Sequence, residues 1–225
     1  MAADSSARLW RGPTLVLDAA TRRVHAGLLV DGTWAALEAP EGEALETIFA
    51  DTSGVLARAG KSLGEVRHVA LGIGPGSILG LRLALLAVNT WRTLPELAHW
   101  EVSTFHGLRL HAHLLAFTRG WDDFHLLSDF RRGRWHLVST HGGVTGDLRL
   151  VEDAELGALS EDIHYTPTGR LAATPPAGAI ETPFSLTALP ALAPAPWTVP
   201  VTNGAPELYL PAPPAFQPWN AQRHR

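Results

Sequence analysis

Apolar residues recur with two different periods along the first hundred residues of the chain. Helical spacing occurs in residues 41–60, which end on a glycine suited to a helix C-terminus, and in residues 79–94, which precede a proline. Asp31 and Gly32 form a strong hairpin signal. Short apolar runs typical of strands are TLVLD from Thr14, VHAGLLV from Val24, TWAALE from Thr33 and VRHVALGI from Val66. The pattern therefore predicts the order β-β-β-α-β-α.

A similar pattern begins again after residue 98. Residues 99–103 predict a strand, and residues 104–117 predict a helix with Thr104 as its N-cap. Two strands around FRRG and a third, LRLVED, follow. Because a strand that returns through a helix to its own sheet pairs in parallel, both halves predict mixed α/β sheets. We expect two related lobes, residues 1–98 and residues 99–225.

The end of the chain has a different composition. Thirteen of the 17 prolines follow Tyr165, and proline breaks helices and removes donors from sheets. We therefore expect a loop-rich tail from about residue 166, packed over the two lobes without a core of its own.

Composition and charge narrow the class of protein. The chain has 225 residues, a formal net charge of −4 and no cysteine, so it can bury a substantial core but has neither disulfides nor thiolate metal ligands. The net charge provides no general attraction to nucleic acid. No run approaches the roughly 18–20 apolar residues of a membrane span. We expect a soluble, cytoplasmic protein with no membrane partner.

A glycine-rich loop, GIGPGSILGLR, lies between the last predicted strand and the last predicted helix of the first lobe. It lacks the lysine of a Walker loop, and Gly74, Gly76 and Gly80 have the spacing G-x-G-x-x-x-G instead of G-x-G-x-x-G. Spacing alone leaves two interpretations open. Either backbone amides at the start of the helix hold an anion, or the glycines only permit a tight strand-to-helix turn. The second interpretation is favoured.

Other candidate chemistry has little support from spacing. His106, His111 and His113 are five and two positions apart, which spreads them around a helix and does not align them as metal ligands. Asp18 ends a buried strand, where its carboxylate is suited either to a metal or phosphate site or to capping the next turn. Asp129 and Arg131 lie at another strand end and could simply pair with each other.

Three stretches together resemble the bacterial TsaB family in their order and intervals. They are LVLDAATRRVHAGLLVDG, VRHVALGIGPGSILGLRLAL and LLSDFRRGRWHLV, where the family has LDTST, GPGSFTGLR and D-A-R-x-x-E-x-Y. The tail segment PELYL is similar to the family's P-x-Y-L-R. The most specific element, here called the signature turn, is kept as Gly74, Pro75, Gly76, Ser77, Gly80 and Arg82.

The resemblance implies a duplicated ribonuclease H-like fold of the actin, hexokinase and sugar-kinase type. It also implies a non-catalytic adaptor for the TsaD-type transferase, which places threonylcarbamoyl on the adenosine beside the anticodon of certain tRNAs. A TsaE-type ATPase joins the pair. On this reading ATP and metal are held by the partner proteins, tRNA is met only within the complex, and this chain carries no cofactor and no metal.

The resemblance also marks individual residues. The nucleotide-binding positions of the fold are degenerate in this chain, because AATRR replaces the small hydroxyl residues that contact phosphate in the family. The degenerate nucleotide-fold positions are Asp18, Thr21, Asp129 and Arg131. The family pairs with TsaD, or with itself, through the helices of its first lobe. The interface candidates are therefore Leu45, Ile48, Phe49, Leu83, Leu86 and Leu94. The second helix is bulkier than in the family, with Leu85 and Trp91, so we expect an altered partner surface.

Two alternatives to the adaptor remain open. One is a nucleotide- or metal-dependent transferase or peptidase-like enzyme, which would use Asp18 and the signature turn. The other is a homodimeric interaction protein outside the tRNA pathway.

Overall fold

The computed structural model describes residues 12–42, 44–131, 133–168, 174–192, 197–202 and 204–211. The described elements form two six-stranded sheets with a helix between them. The strands are β1 (Thr14–Asp18), β2 (His25–Val30), β3 (Thr33–Glu38), β4 (His68–Gly72), β5 (Glu101–Phe105), β6 (Phe124–Arg131), β7 (Arg134–His141), β8 (Val144–Thr145), β9 (Arg149–Glu152), β10 (Asp162–Thr166), β11 (Ile180–Glu181) and β12 (Val199–Pro200). The helices are α1 (Ala44–Arg58), α2 (Ile78–Arg92), α3 (Gly107–Arg119) and α4 (Asp153–Leu156).

The first sheet has the strand order β12-β5-β4-β1-β2-β3. β1 pairs antiparallel with β2 and parallel with β4, and β4 pairs parallel with β5. The turn between β2 and β3 places Asp31 at φ 50° and Gly32 at φ 75°, the conformation that an Asp-Gly hairpin favours. This confirms the mixed sheet and the hairpin that the sequence predicts.

The second sheet repeats the arrangement. β6 pairs antiparallel with β7 and parallel with β10, β7 also pairs with β9, and β10 pairs with β11. The path β9-β7-β6-β10-β11 therefore corresponds to the path β3-β2-β1-β4-β5 of the first sheet. The chain has two ribonuclease H-like lobes, as predicted, with α4 reduced to a single turn in the second.

Two predicted elements at the junction of the lobes need correction. The strand predicted at residues 99–103 is β5, and it lies in the first sheet beside β4 instead of opening the second lobe. Thr104 is not a helix N-cap, because it belongs to β5 and lies opposite Leu71 of β4. The helix begins three residues later at Gly107, with His106 at its N-cap position.

Alternating residues of β1 face two different cores. Leu15 and Leu17 pack with Ile48 and Val55 of α1 in the core beneath α1 and α2, whereas Val16 faces the opposite core, as the two-residue period of a strand requires. α1 ends where expected, since Gly60 takes φ 62° directly after its last turn.

The helix α3 and the tail cover the second face of the first sheet. Leu110 and Leu114 of α3 pack there with tail residues that include Phe184, Leu186 and Trp197. On its other side α3 packs against β6 and β7 through Leu108, Ala112 and Leu115. The described parts of the proline-rich tail are loop-rich and pack over the lobe, as predicted. They complete a core that α3 alone leaves open. Among the described helices, none has the length and hydropathy needed to cross a bilayer.

Candidate functional site in the crevice between the lobes

Asp18 ends β1 inside the protein, where its side chain is completely buried. One carboxylate oxygen accepts a hydrogen bond from the amide of Ala20 over 2.9 Å. The other, Oδ2, is buried and has no hydrogen-bond partner in the part of the chain that the structure describes. Gly72 and Gly107 leave the space that the carboxylate fills, since a Cβ on Gly72 would overlap Oδ2. Burial raises the pKa of Asp18 to about 6, and the Ala20 amide opposes this only in part.

A small cavity of about 10 Å³ lies beside Asp18. Both lobes and the tail line it, through residues that include Asp18, Thr21, Pro75, Ser128, Thr166, Thr168 and Phe184. The hydroxyl of Ser128 is buried there, and like Asp18 Oδ2 it has no partner among the described residues. The space is sufficient for about one water molecule, whereas pockets for organic ligands measure roughly 300–1,000 Å³. The cavity formed by the described residues at Asp18 is therefore much smaller than a nucleotide.

The other predicted nucleotide-fold residues are engaged locally. The hydroxyl of Thr21 donates to the carbonyl of Arg23 over 3.0 Å and accepts from its amide over 3.2 Å. Asp129 accepts hydrogen bonds from the hydroxyl of Tyr165 over 2.6 Å and from the amide of Thr168 over 3.0 Å. Arg131 is exposed, with its guanidinium 5.0 Å above the ring of Phe130. Only Asp18 and Thr21 of the four therefore lie at the cavity.

The signature turn packs directly on the turn that follows Asp18. The amide of Ser77 donates to the carbonyl of Ala20 over 2.7 Å, and the Ser77 side chain caps α2 by accepting from the amide of Gly80 over 3.2 Å. A Cβ on Gly76 or Gly80 would overlap the carbonyl oxygens of Ala20 and Ala19. These contacts make the glycines necessary for close packing. They also occupy two of the amides that an anion site at this turn would need.

The tail motif contacts the signature turn and both lobes. The amide of Tyr209 donates to the carbonyl of Ile73 over 2.9 Å. The Tyr209 ring lies edge-on to His106 in the first half of the chain and to His136 of β7, with centroid distances of 5.1 and 5.7 Å. PELYL therefore holds the glycine turn of the first lobe against the second lobe.

The three histidines near α3 occupy two different environments, as their spacing predicts. His111 is buried and its Nδ1 lies 3.1 Å from the hydroxyl of Thr166. His106 and His113 line a separate cavity on the other side of the helix. Among the described residues, no group of three or more histidine and acidic side chains is arranged to hold a metal ion.

The residues predicted to form the partner surface differ in exposure. Ile48 is a core residue of the first lobe, so it cannot be part of an exposed surface. Leu83 is half-buried, and the side chain of Leu45 lies outside the described residues. Three candidates are exposed: Phe49 at 52%, Leu86 at 61% and Leu94 at 42%.

The bulky residues of α2 turn away from this surface. Trp91 is buried, with its ring edge-on to Trp100 at a centroid distance of 6.1 Å. Leu85 is half-buried and packs against the same core. Leu79, which sequence reasoning missed, is exposed and lies on the face of Leu83 and Leu86 because the three follow the i, i+4, i+7 spacing. Leu79, Leu83 and Leu86 form a leucine stripe on the outer face of α2.

Comparison with known proteins places the fold. No family model matches the chain, and no curated protein matches it either. Among solved structures, YeaZ from Pseudomonas aeruginosa is similar with a TM-score of 0.57 and 21% identity, covering 69% of this chain and 75% of that chain. An uncharacterized protein described as similar to the peptidase YeaZ from Pseudomonas aeruginosa matches with a TM-score of 0.55 and 20% identity, covering 69% of this chain and 75% of that one.

The chain has the fold of YeaZ. YeaZ is a TsaB homologue, so the structural similarity agrees with the family that the sequence motifs resemble. Identities of 20–21% establish the architecture, and what the protein does must be argued from its own residues.

Sequence reasoning missed the second lobe's contribution to the crevice. Ser128, Thr166 and Thr168 line the cavity. Ser128 lies in the stretch LLSDFRRGRWHLV, directly before the motif that begins at Asp129, and the two threonines belong to no motif. The repeat of the two lobes offered one signal. Strand β6 of the second lobe corresponds to β1 of the first lobe, and Ser128 lies near the end of β6. Ser128 therefore occupies roughly the position that Asp18 occupies at the end of β1.

Proposed function

We propose that this protein is a non-catalytic adaptor that binds and activates a TsaD-type transferase in the synthesis of threonylcarbamoyladenosine in tRNA. In this proposal it works in the cytoplasm, the transferase and a TsaE-type ATPase carry the metal and ATP, and tRNA is met only within the complex. The same helices are also available for pairing with a second copy of the chain.

The observation that carries the proposal is the filled crevice at Asp18. In a fold similar to that of YeaZ, the position of a nucleotide-fold carboxylate is closed by Pro75, Ser128 and Phe184 around a cavity of about 10 Å³. Among the described residues, the Ala20 amide is the only hydrogen-bond donor to the buried carboxylate. A site of this size and charge fits a structural core better than it fits phosphate and magnesium.

The leucine stripe supports a protein partner. Leu79 and Leu86 of α2 are exposed at 62% and 61%, and Phe49 of α1 lies beside α2 with its ring 5.6 Å from that of Trp91. Exposed apolar side chains collected on one helix pair are typical of interaction surfaces. The first-lobe helices are also the elements through which the resembled family pairs.

Binding calorimetry between this protein and the TsaD-type protein of the same organism tests the proposal. We expect a stable complex, and no ATP hydrolysis by this protein alone. Absence of a complex, together with a homodimer in analytical ultracentrifugation, would instead identify a homodimeric interaction protein. ATP hydrolysis by the isolated chain, lost in Asp18→Asn, would identify an enzyme.

A complementation experiment tests whether the protein acts in tRNA modification, independently of whether it binds the TsaD-type protein. A strain depleted of its own TsaB protein is supplied with this chain, and threonylcarbamoyladenosine in its tRNA is measured by mass spectrometry. Restored modification is expected when the matching TsaD-type protein is supplied as well. Unrestored modification with both proteins present would place the chain outside the pathway even if the two proteins bind each other.

A further inference from the structure

A second cavity lies at the carboxyl ends of β4 and β5, away from Asp18. Its volume is about 60 Å³, enough for about four to six water-sized groups. Ile73 follows β4 and His106 follows β5, and both line it. The carboxyl ends of parallel strands are the usual position of ligands in open α/β sheets.

Three side-chain nitrogen atoms around this cavity are buried and have no hydrogen-bond partner among the residues that the structure describes. They are His106 Nδ1, Arg109 Nε and Trp197 Nε1. Trp197 is 7% exposed. Its neighbour in the cavity wall, Thr104, already donates its hydroxyl to the carbonyl of Val199 over 3.4 Å. The Arg109 and Trp197 nitrogens are donors. A buried donor without a partner destabilises the folded protein, so a ligand with several acceptor atoms would relieve this cost.

The cavity is also basic within an acidic protein. Arg109 and two histidines, His106 and His113, line it, whereas the whole chain has a net charge of −4. The nearest acidic partner of Arg109 is Asp147, which is 94% exposed and lies 3.6 Å away. Burial, followed by the charge of Arg109, lowers the pKa of both His106 and His113. Near neutral pH the positive charge at the cavity is therefore that of Arg109, whose ion-pair partner Asp147 is exposed to solvent, and the two histidines add charge only as the pH falls.

We propose that this cavity binds a free tetrahedral oxyanion, of the phosphate or sulfate type. Arg109 and the indole of Trp197 donate hydrogen bonds to it, and His106 and His113 contribute charge when protonated. The limited volume favours the free ion over the phosphate group of a larger ester. This site is independent of the adaptor role, because it lies on β5, α3 and the tail and uses no residue of α1 or α2.

Thermal unfolding in the presence of inorganic phosphate, sulfate, acetate or glycerol phosphate tests the proposal. Phosphate and sulfate are expected to raise the midpoint by about 2–4 °C at saturating concentration. Acetate and glycerol phosphate are expected to have much smaller effects. An equal shift with acetate would overturn the assignment to a tetrahedral ion, and an equal shift with glycerol phosphate would overturn the assignment to a free ion.

Variants on the same helix locate the site. Arg109→Gln is expected to weaken sulfate binding at least about tenfold, whereas Arg109→Lys retains part of the affinity. Arg119→Gln, at an exposed position on α3 outside the cavity, is the matched control and should bind as the wild type does. Loss of binding in the control, or unchanged binding in Arg109→Gln, would overturn the site. The unfolding midpoint without anion shows that each variant is folded.

The pH dependence of sulfate binding gives a second readout. Sulfate does not change its charge between about pH 5.5 and about pH 8, so the histidines dominate the response. His106 faces Arg109, Asp147, the Gly74 carbonyl and the Tyr209 ring, and His113 faces Arg109. Affinity is expected to rise as the pH falls. An affinity independent of pH would exclude His106 and His113 from the site.

Discussion

The amide of Ser77 donates a hydrogen bond to the carbonyl of Ala20 over 2.7 Å, which joins the signature turn to the turn after β1. In a phosphate-binding loop such amides point at the ligand. Here the Ser77 amide donates to the backbone of the protein itself and the Gly80 amide donates to the Ser77 hydroxyl. Gly76 and Gly80 allow the two turns to approach closely. The signature turn sets the corner between β4 and α2, and it thereby orients the leucine stripe of α2.

Gly80→Ala tests this packing. Gly80 lies inside α2, where alanine is conformationally favoured, so any destabilisation comes from the overlap of its Cβ with the carbonyl of Ala19. We expect the free energy of unfolding to fall by about 1–3 kcal/mol, measured by urea denaturation.

Gly157→Ala is the matched control. Gly157 has φ −66°, and a Cβ at this position would meet no atom within 4 Å. Its stability should stay within about 0.5–1 kcal/mol of the wild type. If Gly80→Ala were as stable as this control, the turn would not be closely packed.

Asp18→Asn is expected to stabilise the protein at neutral pH. The folded-state pKa of Asp18 is raised to about 6 from an ordinary value of 3.8, so the folded protein binds a proton more tightly than the unfolded chain. The stability contributed by this proton is complete below about pH 3.8 and is lost as the pH rises through about 6. Asparagine keeps the oxygen that accepts from the Ala20 amide and removes the buried charge.

The expected gain for Asp18→Asn is up to about 3 kcal/mol above pH 7, since one pKa unit corresponds to about 1.4 kcal/mol. The gain should disappear in acid. Denaturation at several pH values measures it, and Asp122→Asn at an exposed position controls for the loss of one surface charge. A destabilised Asp18→Asn above pH 7 would mean that the carboxylate has a favourable partner in solution, such as a cation.

The sequence predicted the elements of the fold better than their junctions. The signals for β1–β3 came from short apolar runs and from the Asp31-Gly32 hairpin, which are set by residues close together in the sequence. Thr104 was misassigned because a threonine before a helical pattern has the same local signal as an N-cap. Its place in β5 depends instead on pairing with β4, which lies more than 30 residues earlier.

The candidate site shows the same limit. Motifs identified Asp18 and the signature turn, and the structure brings them together through Ala20. No local pattern indicated that Phe184 of the tail and Ser128 of the second lobe would close the space beside Asp18. Such closure depends on contacts between distant segments. Likewise the size of Trp91 did not indicate that its side chain is buried in the core and does not lie on the partner surface.

His111→Asn is expected to reduce the loss of stability in acid. Burial lowers the pKa of His111 to about 3, with smaller contributions from His25 and His164. The unfolded chain, with an ordinary histidine pKa near 6.5, therefore takes up this proton first as the pH falls. Stability is lost between about pH 6.5 and about pH 3. Near pH 4.5 the histidine should cost on the order of 2 kcal/mol relative to pH 7.5.

Denaturation curves at these two pH values, compared between the wild type and His111→Asn, isolate the contribution of this histidine. The variant should lose less stability on acidification, whatever its stability at neutral pH. His141→Asn is the control, because the His141 side chain is 60% exposed. Equal acid sensitivity in all three proteins would contradict a buried, neutral His111.

Leu86→Glu tests the partner surface that the adaptor proposal requires. Leu86 is 61% exposed on the leucine stripe, so a charge there should change the free energy of unfolding by no more than about 0.5 kcal/mol. In a buried interface the same carboxylate would lie against apolar groups, and the affinity for the TsaD-type partner should fall at least about tenfold. Phe117→Glu on α3, where Phe117 is 58% exposed, is the matched control. Calorimetric binding that survives Leu86→Glu, or that both variants abolish equally, would show that the outer face of α2 is not the specific contact.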